Sequence, residues 1–535
     1  MSDHDLVQLW ADIEPTYGHH ADGTRVERLE DLPRFRAAAT PHAPAMVTTT
    51  ATTTYGELDR AASRLANALS DIGVQPGDRV AYLGENSPYF LFTLYGASKI
   101  GAIPTALNAR LAPAEVEYIL RDCEPQVIVL GIGSEHLVET AEAAGVRVVV
   151  TLAEHSGAVT YDEWVSTASE DDPGFARAAE ETALILYTSG TTGHPKGIEL
   201  TGANIGQALG ALQHELDLDQ TSVTFAPVPF FHVAGLGLAL VSAVNGASML
   251  LFNAASPTDL SRILRDYRVS HGVAVPTVIQ FLLTLPDVRA SDWSALKCIV
   301  YGASPMPEPV LREATEVFGC RFMQSYGLTE STGGITMLSP QDHRPTAETV
   351  HRLRSVGRVV HNAAVRVVDP GTLEDLGPGE RGEVLIGGGQ LMRGYWRNPE
   401  ATAAAFVQGG WLRTGDGGSL DADGYLYLHD RLKDMIVSGG ENVYPAEVES
   451  VLTGHPSVSQ VAVVGVPSAK WGETPVAVVV AAAGAAIDGT QLIAWARDRM
   501  AHYKCPTEVI VVDALPMNAS GKLLKRQLRE TYGDR

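Results

Sequence analysis

The segment "ALILYTSGTTGHPKG", residues 183–197, decides the fold. Its first half is a short run of apolar residues that reads as a buried strand. Its second half sets Gly190, Gly193 and Gly197 among the hydroxyls of Thr188, Ser189, Thr191 and Thr192, and ends at Lys196. Glycines let backbone N–H groups approach an anion closely, and lysine adds a mobile point charge. This is a phosphate loop placed after a strand. It is not the common nucleotide P-loop, which needs Gly-x-x-x-x-Gly-Lys followed by Ser or Thr. Counted from Gly190, the second glycine position holds Pro195, and Gly197 follows Lys196. The hydroxyl that would hold a magnesium ion is missing.

Outward from this loop, strands and helices alternate. The stretch after Thr201 reads as a helix, "SVTFAPV" as a strand, 235–244 as a helix, "ASMLLF" as a strand and "TDLSRILRDY" as a helix. "HGVAVP", "KCIVYGA" and "RFMQSYG" look like further buried strands, and "DRVAYLG" and "PQVIVLG" repeat the style earlier in the chain. Continuous apolar strands between helices predict parallel sheets covered on both faces, in two α/β layers before about residue 340. From about 350 to 430, short strands separated by Gly, Pro and Asp turns predict a small β-barrel-like unit. A last α+β segment follows. The fold class is therefore α/β: a large N-terminal domain, 1–430, and a smaller α+β C-terminal domain, 431–535.

The bulk properties exclude several classes. Among 535 residues, 45% are hydrophobic and 19% charged, an ordinary globular balance. The net charge of −23 argues against nucleic acid or an anionic membrane as partner. From Gln220 to Thr258 there is no Asp, Glu, Lys or Arg, but Pro227, Pro229 and Asn245-Gly246 cut this stretch into pieces too short to span a bilayer. Cys123, Cys298, Cys320 and Cys505 form no metal or disulfide pattern and read as reduced thiols of a cytoplasmic protein. The start "MSDHDL" is unlike a signal peptide, and "YGDR" carries no peroxisomal or lipidation signal.

Four further stretches carry chemistry. In "MQSYGLTE" (323–330), Tyr326 offers a flat face to a base, Thr329 a hydroxyl, and Glu330 a carboxylate for Mg²⁺; a capped helix start is the plainer alternative. In "WLRTGD" (411–416), Asp416 can accept hydrogen bonds from two ribose hydroxyls, and a hairpin turn is the alternative. "DRLKDMIVSGGENVYPAEVE" lies at the expected domain boundary, with Arg431 in reach of a ribose, Lys433 where a swivel would sit, and Gly439-Gly440 able to let a thin substrate pass. "PMNASGKLLKRQL" places Lys522 on a turn near the C-terminus. Lysine is scarce in a chain that prefers arginine, and Lys196, Lys433 and Lys522 each fall in such a motif.

In this order, these stretches resemble the adenylate-forming superfamily of acyl-CoA synthetases over nearly the whole chain, and bacterial fatty-acyl-CoA ligases most closely. The resemblance implies ATP, Mg²⁺ and CoA as partners of a small carboxylic acid. It implies that Thr188, Ser189, Gly190, Thr191, Thr192, Gly193 and Lys196 hold the β- and γ-phosphates. Gly302, Ala303 and Ser304 would line the adenine pocket with Gln324, Ser325, Tyr326 and Gly327. Thr329 would touch the α-phosphate, Glu330 would hold the metal, and Asp416 and Arg431 would bind ribose. Lys522 would be the lysine of the first half-reaction and Lys433 the hinge of a mobile C-terminal domain. Gly439 and Gly440 would line the pantetheine tunnel, and Trp471 would stack on the CoA adenine. A homodimer is left open.

The acyl site is read from "PFFHVAGLG" (229–237). Phe231 and His232 are its candidate gate, with Gly235, Gly302, Gly327 and Gly333 as small lining residues. No acid in this run could pair a substrate ammonium. The expectation is a deep or wide apolar cavity for a medium- or long-chain fatty acid, or for a bulky steroid- or terpenoid-like acid. Two rivals stand beside the CoA ligase: an enzyme that loads a carrier protein, and a non-catalytic ATP-binding sensor.

Overall fold

Apolar strands buried on both faces recur along the chain, as in Val127–Leu130, where all four residues are buried. The computed structural model describes residues 16–188, 195–252, 257–303, 306–431, 434, 436–438, 441–468, 471–500, 502–517 and 523–533. Its contacts divide into two units, Met1–Val365 with Ile386–Leu412, and Arg366–Leu385 with Arg413–Arg535.

The first unit holds two sheets. In the eight-stranded sheet, Arg79–Leu83 lies between Ile103–Leu107 and Val127–Leu130, all parallel. On the Ile103–Leu107 side follow Thr182–Thr188, Lys196–Thr201 and Gly394–Tyr395. The nine-stranded sheet runs inward from Arg358–Val359 through Gly333–Leu338, Arg321–Leu328, Cys298–Gly302 and His271–Ala274. The strands Pro44–Val47 and Thr52–Thr54 close its other edge. The two expected α/β layers are present.

Parallel pairing is not universal, however. Thr182–Thr188 and Lys196–Thr201 are antiparallel, as are Arg321–Leu328 and Gly333–Leu338. A parallel return needs a crossover of a dozen or more residues, and neither connection is that long. The phosphate loop therefore joins two antiparallel strands, and the helix after it, Gly202–Leu216, starts only beyond the second strand. Thr201 caps that helix by accepting from Asn204 N at 3.1 Å, while Asn204 Oδ1 accepts from Thr201 N at 3.0 Å.

The charge-free stretch is a strand, Val223–Phe225, a helix, Val233–Asn245, and a strand, Ser248–Leu250. No helix among the described residues is long and apolar enough to cross a membrane. All four cysteines are buried, and burial pushes the thiols of Cys123, Cys298 and Cys320 up to between about 11 and about 12.

Short strands appear where they were expected, at Ala363–Val368, Gly382–Gly388, Phe406–Val407, Trp411–Leu420 and Leu426–Arg431, in one five-stranded sheet. The second unit holds a sheet built on the hairpin of Val458–Ser468 and Gly472–Ala481, with Glu508–Val511 parallel to the latter. Helices Pro445–Thr453 and Gly489–Arg497 cover it, the second capped by Asp488 and ending at Arg497 rather than near 502.

Two buried polar groups matter for stability. Lys99 is fully buried, and its ammonium donates to Asp59 (2.6 Å), Asp172 (2.5 Å) and Ser63 Oγ (2.9 Å). His271 is 1% exposed; its Nδ1 lies 2.9 Å from Ser270 Oγ, and its Nε2 has no partner among the described residues. Burial, with Lys297 and Arg321 nearby, pushes its imidazole down to about 4. An unfolded histidine binds a proton below about pH 6.5, whereas this one does not until about pH 4. The unfolded state therefore gains protons first, and stability falls as pH falls through that window. Acidification from pH 7 to 5 should remove about 2 kcal/mol through this group. Unfolding midpoints of wild type and H271N at both pH values check this: the variant should show a smaller pH dependence.

Candidate active site

The strand pair Thr182–Thr188 and Lys196–Thr201 sets Thr188 opposite Lys196 at the mouth of the phosphate loop. Ser189, Gly190, Thr191, Thr192 and Gly193 lie outside the described residues. The Lys196 ammonium sits over the Tyr395 ring, 4.8 Å from its centroid. Tyr395 belongs to the short strand Gly394–Tyr395, which pairs antiparallel with the Lys196 strand and places Tyr395 opposite Ile198. The Tyr395 hydroxyl donates to Glu330 Oε1 at 3.0 Å. Burial and the Glu330 carboxylate push this phenol well above its ordinary value, so it stays a donor.

Glu330 lies in a 3₁₀ turn, Thr329–Ser331, not in a helix start. Ser331 Oγ accepts from Leu328 N at 2.9 Å, and Thr332 closes the turn with φ 54°. Among the described residues Tyr395 is the donor to the Glu330 carboxylate, and its second oxygen is left for another partner. No group of three or more His, Cys, Asp or Glu among the described residues could hold a metal. A single carboxylate suits Mg²⁺, which is bound through one or two carboxylates plus substrate phosphates. The residues present fit that ion.

Gly302 ends the Cys298–Gly302 strand opposite Ser325. A Cβ on Gly302 would meet Ser325 O at 2.4 Å, so glycine is required for strand approach. Ala303 is exposed with φ 65°, a left-handed conformation that is rare for alanine. Ser304 lies outside the described residues. Gln324 is buried, Ser325 and Tyr326 are half-buried, Gly327 is exposed, and the pairing register shifts between Tyr326 and Gly327.

His232 immediately precedes the Val233–Asn245 helix, with its ring 4.6 Å from that of Phe231. Burial, and the charge of Arg110, push its imidazole down to about 4, so it is neutral near pH 7. The loop before it is clasped by Asn86, whose Nδ2 donates to Val228 O (3.0 Å) while its Oδ1 accepts from Phe230 N (2.8 Å).

The small residues serve a purpose different from the expected one. A Cβ on Gly235 would meet Val228 O and Pro229 O at 2.6 Å, and one on Gly327 would meet Gly333 O at 1.8 Å. The space expected behind Gly235, Gly302 and Gly327 is taken by main chain. Gly333 differs: among the described residues a Cβ there would find only Val233 Cγ2, at 4.0 Å. Behind Val233 lies an apolar void of about 20 Å³ bounded by Leu186, Leu209, Leu236, Gly237 and Thr332.

In the second unit, Asp416 is 9% exposed and lies opposite Arg431 across two antiparallel strands. The two residues assigned to ribose are therefore neighbours, brought together from fifteen positions apart by one hairpin. Trp471 is 46% exposed at the turn of the long hairpin, where its backbone N–H donates to Ser468 Oγ at 3.3 Å. Lys433, Gly439, Gly440 and Lys522 lie outside the described residues.

Comparison with known proteins settles the family. The model of the AMP-binding enzymes matches residues 34–396, and that of the AMP-binding enzyme C-terminal domain matches 447–522. The chain belongs to the AMP-binding enzymes. Within this adenylate-forming superfamily it is similar to a feruloyl-CoA synthase of Amycolatopsis sp, 38% identical over 95% of this chain and 100% of that one. It is equally similar, at 38% identity, to the long-chain-fatty-acid–CoA ligase FadD13 of Mycobacterium tuberculosis, over 93% of this chain and 97% of the relative. The ATP-bound crystal structure of MatB from Rhodopseudomonas palustris matches with a TM-score of 0.87 at 31% identity, covering 96% of this chain and 99% of the other. This AMP-binding enzyme is an AMP-forming acid–thiol ligase of the acyl-CoA synthetase kind.

Two site residues escaped the sequence reading, Asn86 and Tyr395. Each contributes through a partner far along the chain, so no local pattern marks it.

Proposed function

We propose that this enzyme joins an apolar carboxylic acid to CoA through an acyl-adenylate. The observation that carries the reading is the Lys196–Tyr395–Glu330 arrangement, a cation and a carboxylate held on one aromatic side chain beside the phosphate loop. In the first half-reaction, a carboxylate oxygen of the acid bonds to the α-phosphorus of ATP, and the bond from that phosphorus to the β-phosphate oxygen breaks. Thr188 to Lys196 hold the departing pyrophosphate, Thr329 contacts the α-phosphate, and Lys522 faces the charge that builds there. Glu330 would hold Mg²⁺ through the oxygen that Tyr395 leaves open, and the bound ion would neutralise phosphate charge.

Tyr326, with Gly302, Ala303 and Ser304, faces the adenine, and Asp416 and Arg431 take the ribose. In the second half-reaction the CoA thiol loses its proton, its sulfur bonds to the acyl carbon, and the bond to AMP breaks. Gly439 and Gly440 line the thiol's approach, Trp471 stacks on the CoA adenine, and the C-terminal domain turns about Lys433 between the two steps.

The acid is apolar: one relative is named for feruloyl-CoA and another for long-chain fatty acids, and the His232 run carries no charged partner for a polar substrate. A medium- or long-chain fatty acid, or a bulky ring acid, enters past Phe231 and the neutral His232, with Gly333 and Val233 at the open side of the site.

The test is acid-dependent ATP–pyrophosphate exchange over acids of graded length and ring content, followed by mass detection of the thioester with CoA or with a phosphopantetheinyl carrier. Exchange with apolar acids and thioester on CoA are expected. Thioester on the carrier alone would overturn the CoA reading. No exchange with any acid, despite ATP binding, would favour the sensor.

A further inference from the structure

We propose that Tyr395 is a positioning residue that fixes Glu330 for the metal and Lys196 for the leaving phosphates together. The inference rests on the reading above. The backbone around Tyr395 is bonded to both halves of the site. On one side, Met392 N donates to Glu330 O at 2.7 Å, Thr332 Oγ1 donates to Gln390 O at 2.6 Å, and the fully buried Gln390 amide donates to Ser331 O (3.0 Å) and Gly334 O (2.9 Å). On the other side, Arg393 N donates to Glu199 O at 2.9 Å and Trp396 N to Gly197 O at 2.8 Å, along the strand that carries Lys196. The segment 390–396 thus ties a turn of the nine-stranded sheet to an edge of the eight-stranded sheet.

Tyr395 extends this tie to side chains. Its hydroxyl occupies Glu330 Oε1, and its ring face receives the Lys196 ammonium. A glutamate side chain that ligates a metal must give up its rotamer freedom on binding, and a donor on one oxygen removes part of that cost beforehand. Outer partners of metal-ligating groups typically change metal affinity or activity 10–100-fold when lost. The ring also holds a lysine that would otherwise sample many rotamers, through an attraction that strengthens as water is excluded.

Y395F and Y395L separate the two contacts. Phenylalanine keeps the ring for Lys196 and removes the hydroxyl from Glu330, whereas leucine removes both. Calorimetric titration with ATP, in EDTA and in excess Mg²⁺, reads the metal contribution without turnover. In wild type, Mg²⁺ should tighten ATP binding. In Y395F that gain should shrink by about 10–100-fold, with metal-free ATP affinity and the thermal midpoint unchanged. Y395L should also weaken metal-free ATP binding. In an E330Q background, Y395F should add nothing further to the loss of the metal effect.

A metal-enhanced affinity that Y395F shares with wild type overturns the inference alone. So does a Y395F loss that is equal with and without Mg²⁺. A wild type that gains nothing from Mg²⁺ and shows no acid-dependent exchange overturns the functional reading, and this inference with it.

Discussion

Replacing Lys522 by alanine is expected to lower acid-dependent ATP–pyrophosphate exchange by about two to three orders of magnitude. Thioester formation from supplied acyl-adenylate should remain within a few-fold of wild type. The first half-reaction spreads negative charge over the α-phosphate oxygens while the pyrophosphate departs. A lysine aimed at that charge is worth more in the transition state than in the ground state, and its loss falls on the rate. The second half-reaction breaks the acyl–phosphate bond of a molecule already made, with the thiol as nucleophile. If the C-terminal domain presents Lys522 in one step and the Gly439-Gly440 run in the other, the two steps must lose activity unequally. Single-turnover assays of each half-reaction make the comparison. Equal losses would contradict alternation about Lys433 and would place Lys522 in the site throughout the cycle.

The second large effect is on stability. K99M should destabilise the N-terminal unit by about 3–5 kcal/mol, the usual cost of breaking a buried ion pair from one side. The Lys99 ammonium lies between Asp59 and Asp172 with no exposure of its own. Burial works against the Asp172 carboxylate, yet hydrogen bonds from Arg34 and Lys99 hold it well below the usual carboxylate range. Its folded value is depressed, so its stabilisation is present above the unfolded value near 3.9 and is lost as pH falls below it. Without Lys99, Arg34 still reaches Asp172 at 2.7 Å, but Asp59 loses its ammonium partner. The double variant D59N/K99M should therefore recover part of the loss. Denaturant midpoints of the three proteins decide it, and a K99M cost below about 1 kcal/mol would show that the site relaxes or admits water.

Much of the architecture was legible in the sequence because its signals are local. Apolar runs between helical patterns marked the strands, among them Thr182–Thr188 before the glycine-rich loop. The antiparallel return of Lys196–Thr201 was not legible, because nothing in that six-residue stretch marks its pairing with Thr182–Thr188 on one side and with the distant Gly394–Tyr395 on the other. The glycines of the acyl segment misled for a related reason. A missing side chain in the sequence does not say whether a ligand or a neighbouring backbone fills the space, and at Gly235 and Gly327 backbone fills it. Asn86 reaches its partner Val228 across 142 positions, and Tyr395 reaches Glu330 across 65. Such clasps are properties of the folded chain and leave no periodic or motif-like trace.

The antiparallel hairpin that ends at Lys196 bears on how an anion could be held there. In a P-loop the anion rests on the start of a helix, whose aligned peptide dipoles attract it whether or not the reaction has occurred. Here the helix begins at Gly202, a full strand beyond Lys196, and that dipole fades within its first turn. Phosphates bound there would be held without that helix end, and the charge that Lys196 adds is one that salt screens readily.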